Sequence, residues 1–508
     1  MLDLMKEAEE LAVAGQDAEA ASAYENLLSE GAEAQAHILQ NLASTLTKSR
    51  QLVRAREAAE AQAFFAPGLA RSWLTLNHIQ SRLGMRDAAL ASLYRALELE
   101  PTNLSVQESR LFALASKLDP QDYRKEAEAW YASLPPVTGA YRRNPSLPGN
   151  RVRVGYVSGD FRTHVMDRFI EALLTYPQHS QFDVHCFDDS PAGDDNAGRR
   201  RLKAIPGITW IDIRGLTPAQ VTSILRLQKM DILVDLAGLS AHHSFHALRQ
   251  RCAPLQLTGI GFLPTTGGDC FDFRIADYED PREYTEPLWK LPRAAVPMPL
   301  HPEIEVSPLP AERNGFVTFG YVNGLHKLTP DSIQQFVRVL RLVPSSKLLV
   351  MLPGASDGRT AAEVLRRFDP VQDRVMFTES QGGAAFCNLF KDIDIALDPT
   401  PYGGCTTTVD SLFHGVPVLT GRPDRRLNAD AWRLQMEFEL QQQGLTGAAI
   451  DIRQPEILAG DLNTLAFIRR ALRPAYLDHH VGDPRGWVGL LEQSYIMMLE
   501  KVKLQAAA

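Results

Sequence analysis

Cysteine is scarce in this chain: five residues in 508, at Cys186, Cys252, Cys270, Cys387 and Cys405, with no Cys-x-x-Cys pair. So small, odd and scattered a set excludes a disulfide framework and a structural zinc site, and it fits a reducing compartment. No run of 18 apolar residues occurs, and charges break up the first ten residues, where a signal peptide would need an apolar stretch. The chain therefore reads as soluble and cytoplasmic, with no membrane partner. Basic residues are outnumbered, 53 Lys and Arg against 61 Asp and Glu for a net charge of −8, and they form no block. A surface of that kind does not neutralise a phosphate backbone, so nucleic acid is not an expected partner. What is present is ample apolar material, 45% of residues, and a length that suggests about three domains.

The first 130 or so residues are poor in glycine and proline and rich in Ala, Leu, Glu and Gln, with apolar residues three and four apart. That spacing predicts amphipathic helices. Pro67 and Pro101 stand 34 residues apart, and the segments they close superimpose, pairing Leu39 with Trp73, Leu42 with Leu76 and Ala55 with Ala89. A weaker copy lies over residues 1–33, with Ala21 at the small position. The unit resembles the tetratricopeptide repeat, in which small residues let two antiparallel helices approach and proline stops the second. Ala43 and Asn77 stand where that repeat usually has glycine, so an ordinary alanine-rich bundle stays open as an alternative. In either case residues 1–134 form an all-α domain whose stacked helix pairs suit an extended peptide.

Residues 134–150 are rich in Pro and Gly and cannot continue a helix or strand. From Arg151 short β-branched runs alternate with helical stretches, predicting strands at 152–157, 182–187, 209–213, 231–236 and 255–260. The prolines at 297, 299, 302, 308 and 310 mark a second boundary, after which the alternation restarts with strands at 316–321, 347–352, 374–377, 393–397 and 416–420. This pattern predicts two doubly wound α/β lobes with parallel sheets, residues 151–310 and 311–508, the second carrying a Pro-started helix over 484–503 able to pack back across a lobe. Open sheets of this kind bind ligands beyond the carboxyl ends of their strands, so the site is expected in a cleft between the lobes.

The most informative segment runs from Leu397 to Thr420: a strand, then Gly403 and Gly404, then Cys405, then Thr406, Thr407 and Thr408 opening a helix. Glycines allow close backbone approach, and the N–H groups of a helix start carry partial positive charge. Together they predict a diphosphate cradle without a Walker lysine. Asp410, one turn in, is a candidate for a ribose diol. Taken alone, the threonines could simply cap a helix. A second cluster, Phe319 to Pro330, places Asn323, Gly324 and Lys327 just past a strand end, where an ammonium group can neutralise a departing phosphate. Most lysines are merely solvated, and only the cradle expected nearby favours a role.

In the first lobe, the run Val154 to His164 ends a strand and delivers an imidazole to the mouth of the cleft, where it could take a proton from a nucleophile. A structural histidine is the plain alternative. His242, His243 and His246 follow the fourth strand with spacing that imitates metal ligands, but no acidic residue or cysteine sits beside them in the sequence. Gly261 to Gly268 reads as a flexible loop lined by hydroxyls.

With these motifs in hand, the chain resembles the O-GlcNAc transferase and SPINDLY family of protein O-glycosyltransferases, with the bacterial members of glycosyltransferase family 41 included. The likeness covers nearly all of the sequence, and its carriers are residues 151–164, 231–238 with 253–267, 323–327 and 404–410, in the family's order. It implies a GT-B catalytic region of two Rossmann-like lobes behind tetratricopeptide repeats. It also implies His164 as base or substrate-positioning group, Lys327 as the lysine that stabilises the leaving diphosphate, and Thr406, Thr407 and Asp410 as phosphate and ribose contacts. Asn323, Gly403, Gly404 and Cys405 complete the donor-binding set. The chain departs from the family at residues 381–390, where Lys, His and Arg usually touch the nucleotide. Here the stretch runs from Gln381 to Phe390 through two glycines and two alanines, while Gly324 replaces Gln or Asn and Cys405 replaces His.

The expectation is thus an inverting enzyme, cytoplasmic and free of metal or other cofactor. It would move a sugar from a nucleotide-sugar donor to Ser or Thr of an acceptor protein held by the repeats. The donor is UDP-GlcNAc-like or another pyrimidine nucleotide sugar, such as the CMP-nonulosonic acids used on flagellin. Pairing of copies into a homo-oligomer is compatible with the repeats. The alternatives are a catalytically silent repeat scaffold for protein binding and a small-molecule GT-B enzyme, which would leave the repeats without a purpose.

Overall fold

A computed structural model describes residues 2–29, 35–137, 151–191, 196–276, 280–292, 304–400, 403–404, 406–419, 455–478 and 482–507. These divide into two compact units, one holding the described residues of 2–113 and 304–473, the other those of 114–292 and 474–507.

The first unit opens with α1 (Leu2–Val13), α2 (Asp17–Ser29), α3 (Gln35–Lys48), α4 (Leu52–Phe65), α5 (Ala70–Arg82), α6 (Arg86–Leu99) and α7 (Leu104–Ala115). Helices α4 and α6 start 34 residues apart, as do α5 and α7, which is the predicted period. The small positions hold the pairs together, since Ala21, Ala55 and Ala89 are all buried, as are Leu39, Leu42 and Leu76. Proline contributes as an acceptor too: the Trp73 indole N–H donates to Pro67 O at 2.9 Å. One period later Gln107 Nε2 donates to Pro101 O at 2.6 Å, so the same bond is made by a different residue. That substitution conceals the next copy from a search for Trp, Leu and Ala.

The second unit begins with α8 (Pro120–Ser133), started by Pro120 and capped by Asp119, whose carboxylate accepts the Gln121 N–H at 3.1 Å. Its last turn is built into this unit: Trp130 lies 5.5 Å from the Phe245 ring, and the Tyr131 hydroxyl donates to Asp269 at 2.9 Å. The sheet comprises β1 (Val152–Ser158), β2 (Phe182–Asp188), β3 (Ile208–Asp212), β4 (Ile232–Asp235), β5 (Leu255–Thr258), β6 (Phe273–Ala276) and β7 (Leu288–Lys290). All strands are parallel, in the order β3-β2-β1-β4-β5-β6-β7. Crossovers use α9 (Asp167–Thr175), α10 (Ala197–Lys203), α11 (Pro218–Leu227) and α12 (Phe245–Leu248). Strands β6 and β7 were absent from the sequence pattern because β6 carries a charge in its middle. Arg274 is nonetheless buried, donating to the carbonyls of Phe262, Leu263 and Pro264 and lying over the Tyr284 ring.

The chain then returns to the first unit with α13 (Pro310–Asn314), β8 (Thr318–Tyr321), α14 (Pro330–Leu342), β9 (Lys347–Leu352), α15 (Gly358–Leu365), β10 (Val375–Glu379), α16 (Gly383–Asn388), β11 (Ile395–Leu397), α17 (Thr406–Phe413) and β12 (Val418–Leu419). This sheet is also all parallel, in the order β10-β9-β8-β11-β12. Two helices follow, α18 (Pro455–Ala459) and α19 (Leu462–Asp478). The repeats are tied to this lobe by ion pairs, Arg50 with Glu379 at 2.6 Å and Arg56 with Glu363 at 3.3 Å, and by Arg367 donating to Leu83 O at 2.8 Å. No described helix is long and apolar enough to cross a membrane.

The last helix, α20 (Pro484–Ala507), packs on the β1–β7 lobe of the second unit. Its Tyr495 hydroxyl lies 3.4 Å from that of Tyr156, and Glu492 accepts the Gln178 N–H at 3.0 Å. Burial pushes the Glu492 carboxyl up from 4.5 to about 7. A raised carboxyl favours the folded state only while it stays protonated. Stability should therefore decline as pH rises from about 4.5 through about 7, by about 1–3 kcal/mol. Glu492→Gln keeps the acceptor and removes the titration, so urea midpoints at pH 5 and pH 8 should converge in that variant.

Candidate functional site

In each sheet the strand order reverses direction beside the first strand, between β1 and β4 in one lobe and between β8 and β11 in the other. Such switch points open crevices at the carboxyl ends of the strands. Both sequence clusters fall there, and for a local reason: fully buried apolar strands must end where small or polar residues take the chain back to the surface.

In the β8–β11 lobe, the chain leaves β8 through Asn323 and Gly324, makes a 3₁₀ turn over Leu325–Lys327 and enters α14 behind Pro330. From β11 it passes Asp398 and reaches Gly403 and Gly404 just ahead of α17. The two loops meet. Lys327 Nζ donates to Gly403 O at 2.9 Å, and the Thr407 hydroxyl donates to Asn323 Oδ1 at 2.7 Å. Gly404 N–H is held by the buried Asp398 carboxylate at 2.6 Å. Only glycine fits at 404, because a Cβ there would lie 2.2 Å from Thr407 Oγ1 and 2.9 Å from Asn323 Oδ1. Five of the predicted residues, Asn323, Lys327, Gly403, Gly404 and Thr407, thus come together where the loops meet, Lys327 bonded to Gly403 and Thr407 to Asn323.

The three threonines differ. Thr406 and Thr407 are half-buried, whereas Thr408 is buried and turns its hydroxyl back to Gly404 O at 2.6 Å. Asp410 is buried as well, at 1% exposure. Cys405 lies outside the described residues. At Gly324, a Cβ would come within 2.6 Å of the His326 ring, so the family's larger residue has no room while that imidazole stays in place. Helix α16 starts at Gly383 and brings no cation to the segment from Gln381 to Asn388.

Sequence reading missed Asp398, Thr329 and Ser332. Asp398 had a signal, an acid directly after an apolar strand and before proline. The two hydroxyls had none, because the loop they touch is some 70 residues away, with Thr329 and Ser332 both donating to Thr400 O.

His164 belongs to the other unit. It sits in the turn after β1, its Nδ1 3.3 Å from Asp160 Oδ1 and 3.3 Å from the Met166 N–H. Burial pulls the imidazole below its ordinary pKa and Asp160 works against that, while burial raises the Asp160 carboxyl. Asp160 is the partner that sequence reading overlooked, four residues earlier. The fold also supplies the acid that the three later histidines lack in sequence: Asp189, at the end of β2, accepts the Ser244 hydroxyl at 2.7 Å and feels His242 and His243. Among the described residues, no group of three or more His, Cys, Asp or Glu could hold a metal ion. The loop at 261–268 corrects an expectation. Its Thr265 and Thr266 hydroxyls do not line an opening but donate to the buried Glu286 carboxylate at 2.7 and 2.6 Å. A buried carboxylate needs such donors, and they fix the loop.

The model of "Glycosyl transferase family 41" matches residues 136–291. A Petunia hybrida protein described as a probable UDP-N-acetylglucosamine–peptide N-acetylglucosaminyltransferase SPINDLY is 35% identical over 293 residues, which is 54% of this chain and 31% of that protein. An Arabidopsis thaliana protein described as the probable SEC enzyme of the same kind is 24% identical over 371 residues, 68% of this chain and 37% of its own length. The chain spans about a third of the length of these curated relatives. Among solved structures, a mutant of the Thermobaculum terrenum O-GlcNAc transferase superimposes with a TM-score of 0.86 at 26% identity, covering 100% of this chain and 98% of that one. The helical repeats followed by two parallel Rossmann-like sheets are therefore the GT-B arrangement implied by the resemblance, and it is residues 136–291 that match glycosyltransferase family 41.

Proposed function

We propose that the chain is a protein O-glycosyltransferase that moves a sugar, with inversion, from a nucleotide-sugar donor to a Ser or Thr hydroxyl. The observation that carries this reading is the 2.9 Å contact between Lys327 Nζ and Gly403 O, which puts an ammonium group at the glycine turn ahead of α17. In the proposal the donor's phosphate exchanges for that carbonyl. Lys327, the Thr406 and Thr407 hydroxyls and the first N–H groups of α17 then carry the charge that builds as the glycosidic C–O bond breaks. A fixed ammonium and a helix start supply what a divalent ion gives elsewhere, so the scheme needs no metal. His164, whose imidazole burial pulls below its ordinary pKa, receives or relays the proton of the acceptor hydroxyl as it attacks the opposite face of the anomeric carbon. The repeats hold the acceptor protein. A ribose contact from Asp410 would need its carboxylate to come out of the helix packing that now buries it.

The donor reading follows from the segment at 381–388. Without a cation there, and with His326 occupying the space next to Gly324, UDP-GlcNAc has no privileged claim over other nucleotide sugars. Thermal stabilisation by UDP, GDP and CMP tests this. A ligand that binds only the folded state stabilises it by about 2.7 kcal/mol at 100 times its dissociation constant, so one nucleotide should raise the melting temperature by several degrees and the others should not. No shift with any of the three would remove the donor site. The same missing cations favour a second reading, a silent repeat scaffold, and donor hydrolysis by purified protein separates it from an enzyme.

A further inference from the structure

We infer that Ser332 is a positioning residue that sets Lys327 against the glycine turn, through a hydroxyl shared by the two loops. This deepens the proposed function and rests on it. Lys327 lies two residues ahead of Thr329, the N-cap of α14. Thr329 does the capping itself, its hydroxyl oxygen accepting the Ser332 N–H at 3.1 Å. At the third helical position a Glu or Gln would ordinarily reach back to the N-cap N–H. Ser332 is too short for that, and its hydroxyl turns across to the loop from β11 instead. Ser332 Oγ accepts the Thr400 N–H at 2.9 Å and has three oxygens within reach of its single proton, Thr400 O at 2.9 Å, Thr329 Oγ1 at 3.0 Å and Lys327 O at 3.3 Å. The Thr329 hydroxyl donates to the same Thr400 O at 2.7 Å.

Ser332 itself is buried, at 0% exposure, between the half-buried Lys327 and Thr400, and no capping duty requires its hydroxyl there. Its consequence is geometric. One oxygen fixes the distance between the backbone of Lys327 and that of Thr400, three residues before Gly403, so the ammonium and the turn arrive at the donor phosphate in register. Displacement of such a group by about 1 Å costs up to about a hundredfold in rate.

The test is a double-mutant cycle on nucleotide affinity, using whichever of UDP, GDP and CMP stabilises the wild-type full chain. A free nucleotide carries the charge that develops on the leaving group, so its affinity reads the Lys327 contact directly. Ser332→Ala should weaken it about tenfold, Lys327→Ala at least as much, and the double variant should bind no more weakly than Lys327→Ala alone. A serine needed only for folding would instead add its effect to that of the lysine change. Ser332→Cys, nearly equal in volume and a poor hydrogen-bonding group, should fall between wild type and alanine, and it serves if the alanine variant loosens the fold. Wild-type affinity in Ser332→Ala, or additive losses in the double variant, would overturn the inference and leave the donor site standing. Undiminished affinity in Lys327→Ala would overturn the donor site itself.

Discussion

Lys327→Ala is expected to lower sugar transfer by about two to three orders of magnitude, with a smaller loss in donor affinity. Removal of one preorganised charge partner from a developing anion typically costs about 10²–10³ in turnover. The side chain acts mostly on charge that appears as the bond to the leaving group breaks, so turnover should suffer more than the Michaelis constant. The ammonium is close enough for this role: it already lies 2.9 Å from Gly403 O, and Asn323 ties its loop to Thr407 at 2.7 Å. Steady-state release of free nucleotide from the donor gives the comparison. Turnover like that of wild type would remove Lys327 from the chemistry.

The largest effect on stability is expected at Arg469. This guanidinium, in α19, is buried at 1% exposure and donates to Ser307 O at 2.7 Å, Ile393 O at 2.8 Å, Phe390 O at 2.8 Å and Ser307 Oγ at 2.8 Å. Burial lowers its pKa to about 10, so it stays charged at neutral pH. Three carbonyl groups, those of Ile393 and Phe390 in buried bonds and that of Ser307 in a half-buried one, depend on one fork of donors. Arg469→Ala leaves them unsatisfied and should destabilise the first unit by about 3–5 kcal/mol. Arg469→Lys keeps the charge but cannot span the same acceptors, so it should recover only part of the loss. Urea titration followed by tryptophan fluorescence and circular dichroism measures both. A midpoint unchanged by alanine would show that water or a neighbour replaces the guanidinium.

What could be read from the sequence, and what could not, has a physical pattern. The repeat period, the ten parallel strands and the two loop clusters depend on local chemistry: small residues where helices cross, apolar runs where strands are covered on both faces, and glycine with hydroxyls where a helix starts. Each leaves its mark on neighbouring residues or at a fixed short period along the chain. The features that escaped depend on contacts across the fold. Strand β6 was missed because Arg274 breaks its apolar run, and only three carbonyls from another loop make that charge tolerable. The repeat unit beyond Pro101 was missed because Gln107 makes the bond that Trp73 makes one period earlier. Thr265 and Thr266 read as open hydroxyls because Glu286, their acceptor, lies 20 residues further along. In the candidate site, Lys327 and Gly404 were legible from their own neighbours. Asp398 and Ser332, which hold them in place, are ordinary residues until the fold brings their partners to them.

The most direct test of the donor cradle is a crystal structure of the chain with its stabilising nucleotide. The account predicts a phosphate within hydrogen-bonding distance of Lys327 Nζ and of Thr406 or Thr407, displacing the lysine from Gly403 O. A nucleotide bound elsewhere, with the Lys327 to Gly403 contact intact, would contradict it.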